Sequence, residues 1–294
     1  MRLVLLLLCT LAISGCVRHL GAPEGEPPAL PDYDVAVIED RVYTPDDWPQ
    51  ALHADIYRPE PPGRYPTVLM VHGGGWERRS PEDTAGLARQ LAEQGFVVVN
   101  IEYRFAPEYT FPAQLHDLQM AMRWLHVHAD DYGIDRSRVG AWGYSSGAHL
   151  VTLLATVAAD TDSPLNEPYG GPVTRPRAVV AGGTPTDLRK FEGGTLVPQF
   201  LGGPQESNAA IYAAASPVTH VGADTPPHLL YHGTLDSVVP VDHAEDYRTA
   251  LKANGVDNEL LLLRGKGHVA AFLFGGAAED AGAAFLARTL TPAH

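Results

Sequence analysis

Residues 139–150 read VGAWGYSSGAHL, and the fold turns on how this stretch is read. An apolar run at 139–142 ends in Gly143-Tyr144-Ser145-Ser146-Gly147 and passes into a helix-compatible segment at 148–159. A strand that turns sharply into a helix needs small residues on both sides, since a side chain there would collide with the crossing strand or helix. Gly143 and Gly147 supply them. The turn lifts Ser145 clear of the sheet with its hydroxyl exposed. The backbone N–H of Ser146 points into the same space, at a helix N-terminus where negative charge is favoured. This is the geometry of a nucleophile elbow.

Outward from the elbow, strands and helices alternate. Residues 52–57 alternate apolar and polar and read as a strand, and 67–71 form a continuous apolar run suited to a strand buried on both faces. Ser80 as N-cap and Pro81 in the first turn open a helix that Gly95 closes, and 96–101 is the next buried strand. The stretch 114–132 is a long amphipathic helix with Leu118, Met122 and Leu125 on one face, ended by Gly133. Short strands follow at 178–181, 228–232 and 259–263, with helices at 243–254 and 277–290. Residues 188–220 carry Phe191, Leu196, Phe200 and Ile211 among Gly and Pro without a clear period, and read as an irregular or helical lid. The pattern predicts an α/β fold: a mostly parallel sheet with helices on both faces.

In such a sheet ligands sit outside the carboxyl ends of the strands. Four predicted strand ends carry candidate chemistry: His72-Gly73-Gly74-Gly75-Trp76, Ser145, Gly233-Thr234-Leu235-Asp236, and Gly265-Lys266-Gly267-His268. The order Ser, Asp, His is the one this fold uses. With these motifs, Tyr103-Arg104-Phe105-Ala106-Pro107-Glu108, Phe111-Pro112-Ala113 and Val239-Pro240, the chain resembles the α/β-hydrolases of the esterase/lipase type. It is close to the hormone-sensitive-lipase-like and feruloyl-esterase-like carboxylesterases. The resemblance runs from about residue 52 to the C-terminus.

Roles follow from the chemistry. A serine hydroxyl is a poor nucleophile at neutral pH, so His268 would take the Ser145 proton and return it to the leaving group. Asp236 would hold the imidazole in the right tautomer. The Ser146 N–H is one oxyanion donor, and the resemblance implies the Gly74 and Gly75 N–H groups as others. Asp187 is a rival for orienting the histidine, but Asp236 has the strand-end position and the motif. Asp242 and Asp246 fall at a helix start and read as cap or surface charges. His149 and His116 lie on helix bodies and read as structural, and His72 as a shaper of the glycine loop. Trp76 and Tyr144 are candidates for the substrate pocket, and equally for the core.

Composition sets the address. The chain has 294 residues, 45% of them hydrophobic, and 35 acidic against 21 basic residues give a net charge of −14. That balance argues against nucleic acid or an anionic surface as partner. Met1-Arg2 and the apolar stretch 3–13 resemble a signal too short to span a bilayer. Ile13-Ser14-Gly15-Cys16 resembles the lipobox of bacterial lipoproteins, which implies cleavage after residue 15 and an acylated Cys16 in the bilayer. Residues 16–31, rich in Pro, Gly and Glu, then read as the lipidated cysteine and a solvated tether, and 32–294 as one α/β-hydrolase domain. Cleavage would also remove Cys9, leaving no intramolecular disulfide, thiolate metal site or cysteine nucleophile. The expected location is the cell envelope, facing the periplasm or exterior, with Val17 after Cys16 favouring an outer membrane where one exists.

The expected activity is hydrolysis of a small carboxylic ester through an acyl-enzyme on Ser145, with no metal or organic cofactor. Two alternatives stand beside it. The first is an amide hydrolase, since arylformamidases share the His-Gly-Gly-Gly-Trp pattern and prolyl-oligopeptidase-type peptidases the triad order. The second is a binding module that keeps the fold without catalysis.

Overall fold

The computed structural model describes residues 17–290, so the leader and Cys16 lie outside the described residues. Strands β1 (Val17–Leu20), β2 (Val35–Val42), β3 (His53–Pro59), β4 (Tyr65–Val71) and β5 (Val97–Ile101) come first. They are followed by β6 (Ile134–Tyr144), β7 (Val179–Gly182), β8 (His228–Gly233) and β9 (Asn258–Leu263). They form one sheet in the order β1-β9-β8-β7-β6-β4-β5-β3-β2. The six central strands, β9 to β5, run parallel, and antiparallel strands close both edges. After β4 the chain goes to β5 on one side, then crosses to β6 on the other. That reversal opens a crevice at the carboxyl ends of β4 and β6.

The helices are α1 (Ala85–Glu93), α2 (Ala113–Val127), α3 (Ala129–Tyr132), α4 (Ser146–Ala159) and α5 (Leu196–Leu201). Then come α6 (Gln205–Ala214), α7 (Asp242–Ala253), α8 (His268–Leu273) and α9 (Gly276–Leu290). Successive side chains of a strand face opposite ways, and the two cores divide accordingly. Leu69 and Val71 of β4 join α2, α4 and α7 on one face, while Val68 and Met70 join α1 and α9 on the other. Helix α4 is buried along nearly its whole length, which its run of Ala, Leu, Val and Thr permits.

Two expectations are corrected. The helix foreseen over 114–132 is two helices, α2 and α3, with His128 (φ −92°, ψ 17°) departing from helical geometry between them. More consequentially, residues 17–20 are not part of a solvated tether. Val17 pairs with Leu263 and Leu20 with Leu260, so β1 is an antiparallel edge strand of the domain itself. Its side-chain anchor is polar: His19 Nε2 lies 2.7 Å from Glu259, which also accepts from Arg288 at 2.8 Å. Four residues with no apolar alternation gave no sequence signal for this pairing.

The Arg104-Asp117 pair locks the loop after β5 to α2. Arg104 Nε and backbone N–H donate to the two carboxylate oxygens at 2.8 and 2.9 Å, and Trp48 Nε1 donates to the same group. Burial pushes the Asp117 carboxyl up, against the pull of the guanidinium.

Burial also holds His149, His228 and His243 down at about 4, with the Lys190 charge adding to the effect at His243. These imidazoles are neutral in the fold, whereas the unfolded chain binds protons near pH 6.5. Unfolding therefore takes up protons between about pH 6.5 and 4, and stability is lost as pH falls through that window. Three such groups correspond to a slope of up to roughly 4 kcal/mol per pH unit near pH 5. Urea unfolding at pH 7, 6 and 5 should show the midpoint falling steeply. A flat profile would contradict the neutral buried imidazoles.

Candidate active site

Ser145 sits between β6 and α4 with φ 53° and ψ −122°, a conformation that a non-glycine residue holds only under strain of about 1–3 kcal/mol. The surroundings fix it. Its N–H donates to the Gly182 carbonyl at 2.7 Å, and its own carbonyl accepts from the His149 N–H at 2.9 Å. The flanking glycines are required by close approach. A Cβ on Gly147 would lie 2.1 Å from the Val71 carbonyl oxygen, and one on Gly143 would lie 2.4 Å from the Gly147 backbone.

His268 Nε2 is 2.9 Å from Ser145 Oγ, and His268 Nδ1 is 2.6 Å from Asp236 Oδ2. The residues come from the carboxyl ends of β6, β8 and β9, far apart in sequence but on one side of the sheet, with β7 between β6 and β8. Burial pushes the Asp236 carboxyl up, but hydrogen bonds from His232, His268 and the Val239 N–H outweigh it and hold the group well below the usual carboxylate range. Val238 and Val239 N–H donate to Oδ1 at 2.9 and 2.8 Å, and His232 Nε2 stands 3.4 Å from Oδ2. Asp236 is thus an ionised acceptor. His268 Nδ1 must carry a proton toward it, which leaves Nε2 free to accept the serine proton.

The triad opens into a cleft of about 530 Å³ lined by Gly73, Gly74, Gly75, Tyr144, Ser145 and His268, with Leu196, Val238, Val269, Phe272 and Leu273 as apolar walls. Arg78, Arg79 and Asp83 complete the lining. Gly74 (φ 122°) and Gly75 (φ 65°) need left-handed backbone, and a Cβ on Gly74 would lie 2.0 Å from the Arg78 carbonyl oxygen. Ser146 opens α4, where first-turn N–H groups have no acceptor within the helix. Its side chain is buried 3.4 Å from the Tyr103 hydroxyl. Among the described residues no cluster of His, Cys, Asp and Glu could hold a metal ion.

Of the two pocket candidates, Tyr144 lines the cleft and donates through its hydroxyl to the His268 carbonyl at 2.6 Å. Trp76 does not line it, which corrects that expectation. At φ 62° the backbone turns its side chain into the core, where the ring stacks on Phe200 at 4.6 Å and Nε1 donates to His149 Nδ1 at 3.2 Å. His149 Nε2 in turn donates to the Ala215 carbonyl, so the imidazole bridges the glycine loop and the 188–220 segment. Asp187 pairs with Arg189, and Asp242 and Asp246 pair with Lys190, all away from His268. His72 is buried, stacks on Tyr103 and contacts the Gly73 carbonyl through Nδ1. Val238, Val269, Phe272 and Leu273 were not foreseen: Val238 stands alone in a loop, and Val269, Phe272 and Leu273 share one face of α8, a six-residue helix too short to announce itself in the sequence.

Strand order, parallel core and elbow make this an α/β-hydrolase fold. Residues 54–251 match the family described as BD-FAE, and the chain belongs to that family. It is 31% identical over 218 residues to the probable carboxylic ester hydrolase LipM of Mycobacterium tuberculosis, covering 70% of this chain and 50% of that protein. It is 30% identical over 248 residues to the esterase LipC of the same organism, covering 79% and 60%. The chain thus spans about half to three-fifths of the length of these curated relatives. Among solved structures, Thermogutta terrifontis esterase 2 phosphoramylated by tabun superposes with a TM-score of 0.72 at 26% identity, over 90% of this chain and 98% of that one.

Proposed function

We propose that the chain hydrolyses small carboxylic esters through an acyl-enzyme on Ser145. The observation that carries this is the hydrogen-bonded line from Ser145 Oγ through His268 to the ionised Asp236. Nε2 of His268 takes the hydroxyl proton as Oγ bonds to the ester carbonyl carbon, and Asp236 stabilises the imidazolium. Charge on the carbonyl oxygen develops beside the N–H groups of Gly74, Gly75 and Ser146, each of which is worth about 3–4 kcal/mol in such a hole. The alcohol leaves with the proton from His268. Water, deprotonated by the same imidazole, then attacks the acyl carbon, and the carboxylic acid departs as Oγ regains its proton.

The named activities of LipM and LipC support the reaction class, and the organophosphorus-modified neighbour supports a nucleophile of this kind on the same fold. The test is labelling by a fluorophosphonate probe, expected to be stoichiometric on the wild-type chain. An intact fold that does not react would sink the proposal and favour a binding module. We also propose that Cys16 is acylated, on the strength of the Ile13-Ser14-Gly15-Cys16 sequence, which would place the enzyme in the cell envelope.

A further inference from the structure

The pairing of β1 with β9 has a directional consequence. Strand β9 runs from Asn258 to Leu263 and delivers His268 at its carboxyl end. Because β1 is antiparallel and Val17 pairs with Leu263, the N-terminal segment leaves the domain at that same edge, where Ser145, Asp236 and His268 sit. Four strand spacings, about 19 Å, separate β1 from the elbow strand β6. Cys16 is the residue immediately before β1, with no tether between.

The exposed apolar side chains gather at this edge. Ten large ones are exposed among the described residues, and six of them lie on its β1-β9-β8 side: Val17, Leu235, Val238, Val269, Leu273 and Phe274. The last five are exposed from 53% at Val238 to 69% at Phe274; Val238, Val269 and Leu273 line the cleft, while Phe274 directly follows Leu273 and Leu235 precedes Asp236. An exposed patch of this kind marks an interaction surface rather than a random scatter. Arg18 pairs with Leu262, Arg264 directly follows β9, and Lys266 donates to the Phe274 carbonyl, so three cations adjoin this side in a chain otherwise dominated by acids. Apolar residues fringed by cations match the layering of a lipid interface, with hydrocarbon below and phosphate above.

We infer that this edge is a bilayer-docking surface, so that the cleft faces the membrane and takes esters presented at the lipid interface. The occupant is chosen by where the chain leaves the domain. Acyl chains on Cys16 would begin one residue from the sheet, and a leash that short holds the β9 side of the edge against the bilayer. The inference rests on the proposed lipidation for its strength and on the proposed hydrolysis only for the choice of substrate.

The test uses the full chain reconstituted into vesicles of brominated phosphatidylcholine, whose bromines quench nearby indoles. Leu235→Trp and Phe274→Trp are compared with Val127→Trp, a 73% exposed position at the last residue of α2, ahead of the start of β6 and so at the opposite end of the strands from the cleft. Added fluorescence at 235 and 274 should be quenched at least threefold more than at 127. Equal quenching at all three positions overturns the inference, as does a blue shift at 274 that grows with protein concentration without lipid, which would assign the patch to a second copy. The double variant Leu235→Ser/Phe274→Ser alters residues that do not line the cleft. It should leave hydrolysis of p-nitrophenyl acetate in solution within twofold and lower hydrolysis of an ester lipid in vesicles at least fivefold. A parallel loss of both rates overturns docking as the cause. Quenching needs no turnover, and the mass of the N-terminal peptide reports lipidation directly, so a failure of either earlier proposal is distinguishable from a failure of this one.

Discussion

Replacing Ser145 with alanine is expected to lower kcat on p-nitrophenyl acetate by on the order of 10⁵-fold or more, with the fold intact. The figure follows from how a triad works. Removing the nucleophile leaves only the oxyanion donors and substrate binding, and those alone give a residual 10³–10⁴ over the uncatalysed reaction. Alanine also relaxes nothing essential in the packing. The backbone N–H to Gly182 and the carbonyl to His149 are retained, so the elbow keeps its shape while losing only Oγ. The β-carbon is held at φ 53° in either case, so the thermal midpoint should move by no more than a few degrees. A variant that keeps a tenth of wild-type turnover would mean that another group attacks the ester.

Asp236→Asn is the second large effect, on the order of 10⁴-fold in kcat, and its cause is a tautomer rather than a missing contact. The carboxylate accepts from His268 Nδ1 at 2.6 Å, which forces the Nδ1–H form and leaves Nε2 bare toward Ser145. Oδ1 accepts from Val238 and Val239 N–H, so an asparagine will seat its oxygen there and turn its NH₂ toward His268. The imidazole must then accept at Nδ1 and carry its proton on Nε2, where it can no longer take the serine proton. The loss should appear in kcat with KM little changed. It should ease at alkaline pH, where hydroxide substitutes for the missing base. A variant with near wild-type kcat would place the orienting role elsewhere, and Asp187 is excluded from it by its bidentate pairing with Arg189.

Much of this site was legible in the sequence because its demands are local. Gly143 and Gly147 are small for a reason that any strand-to-helix turn imposes, and the close backbone approach at both positions is that same reason seen in space. The motif around Asp236 could be placed because β8 ends at Gly233, and His268 because β9 ends at Leu263. What was not legible depends on direction or on long-range pairing. Trp76 adjoins the glycine loop in sequence and was a pocket candidate, but a positive φ at that residue sends its ring to Phe200. The walls of the cleft come from Val238 on a loop and from the six-residue helices α5 and α8, which are too short for their apolar spacing to stand out in the sequence. Strand β1 carries four residues whose backbone pairs with β9, some 240 positions away, and no local pattern encodes such a partner.

The central claim is that Ser145 becomes covalently acylated during turnover. It is tested most directly by acid-quenching the chain within its first turnovers of p-nitrophenyl acetate and weighing the peptide that contains Ser145. The expected result is a gain of one acetyl group on that peptide, at near one per chain, absent from Ser145→Ala. Hydrolysis proceeding at full rate with that peptide unmodified at every quench time, and no burst of p-nitrophenol, would contradict it.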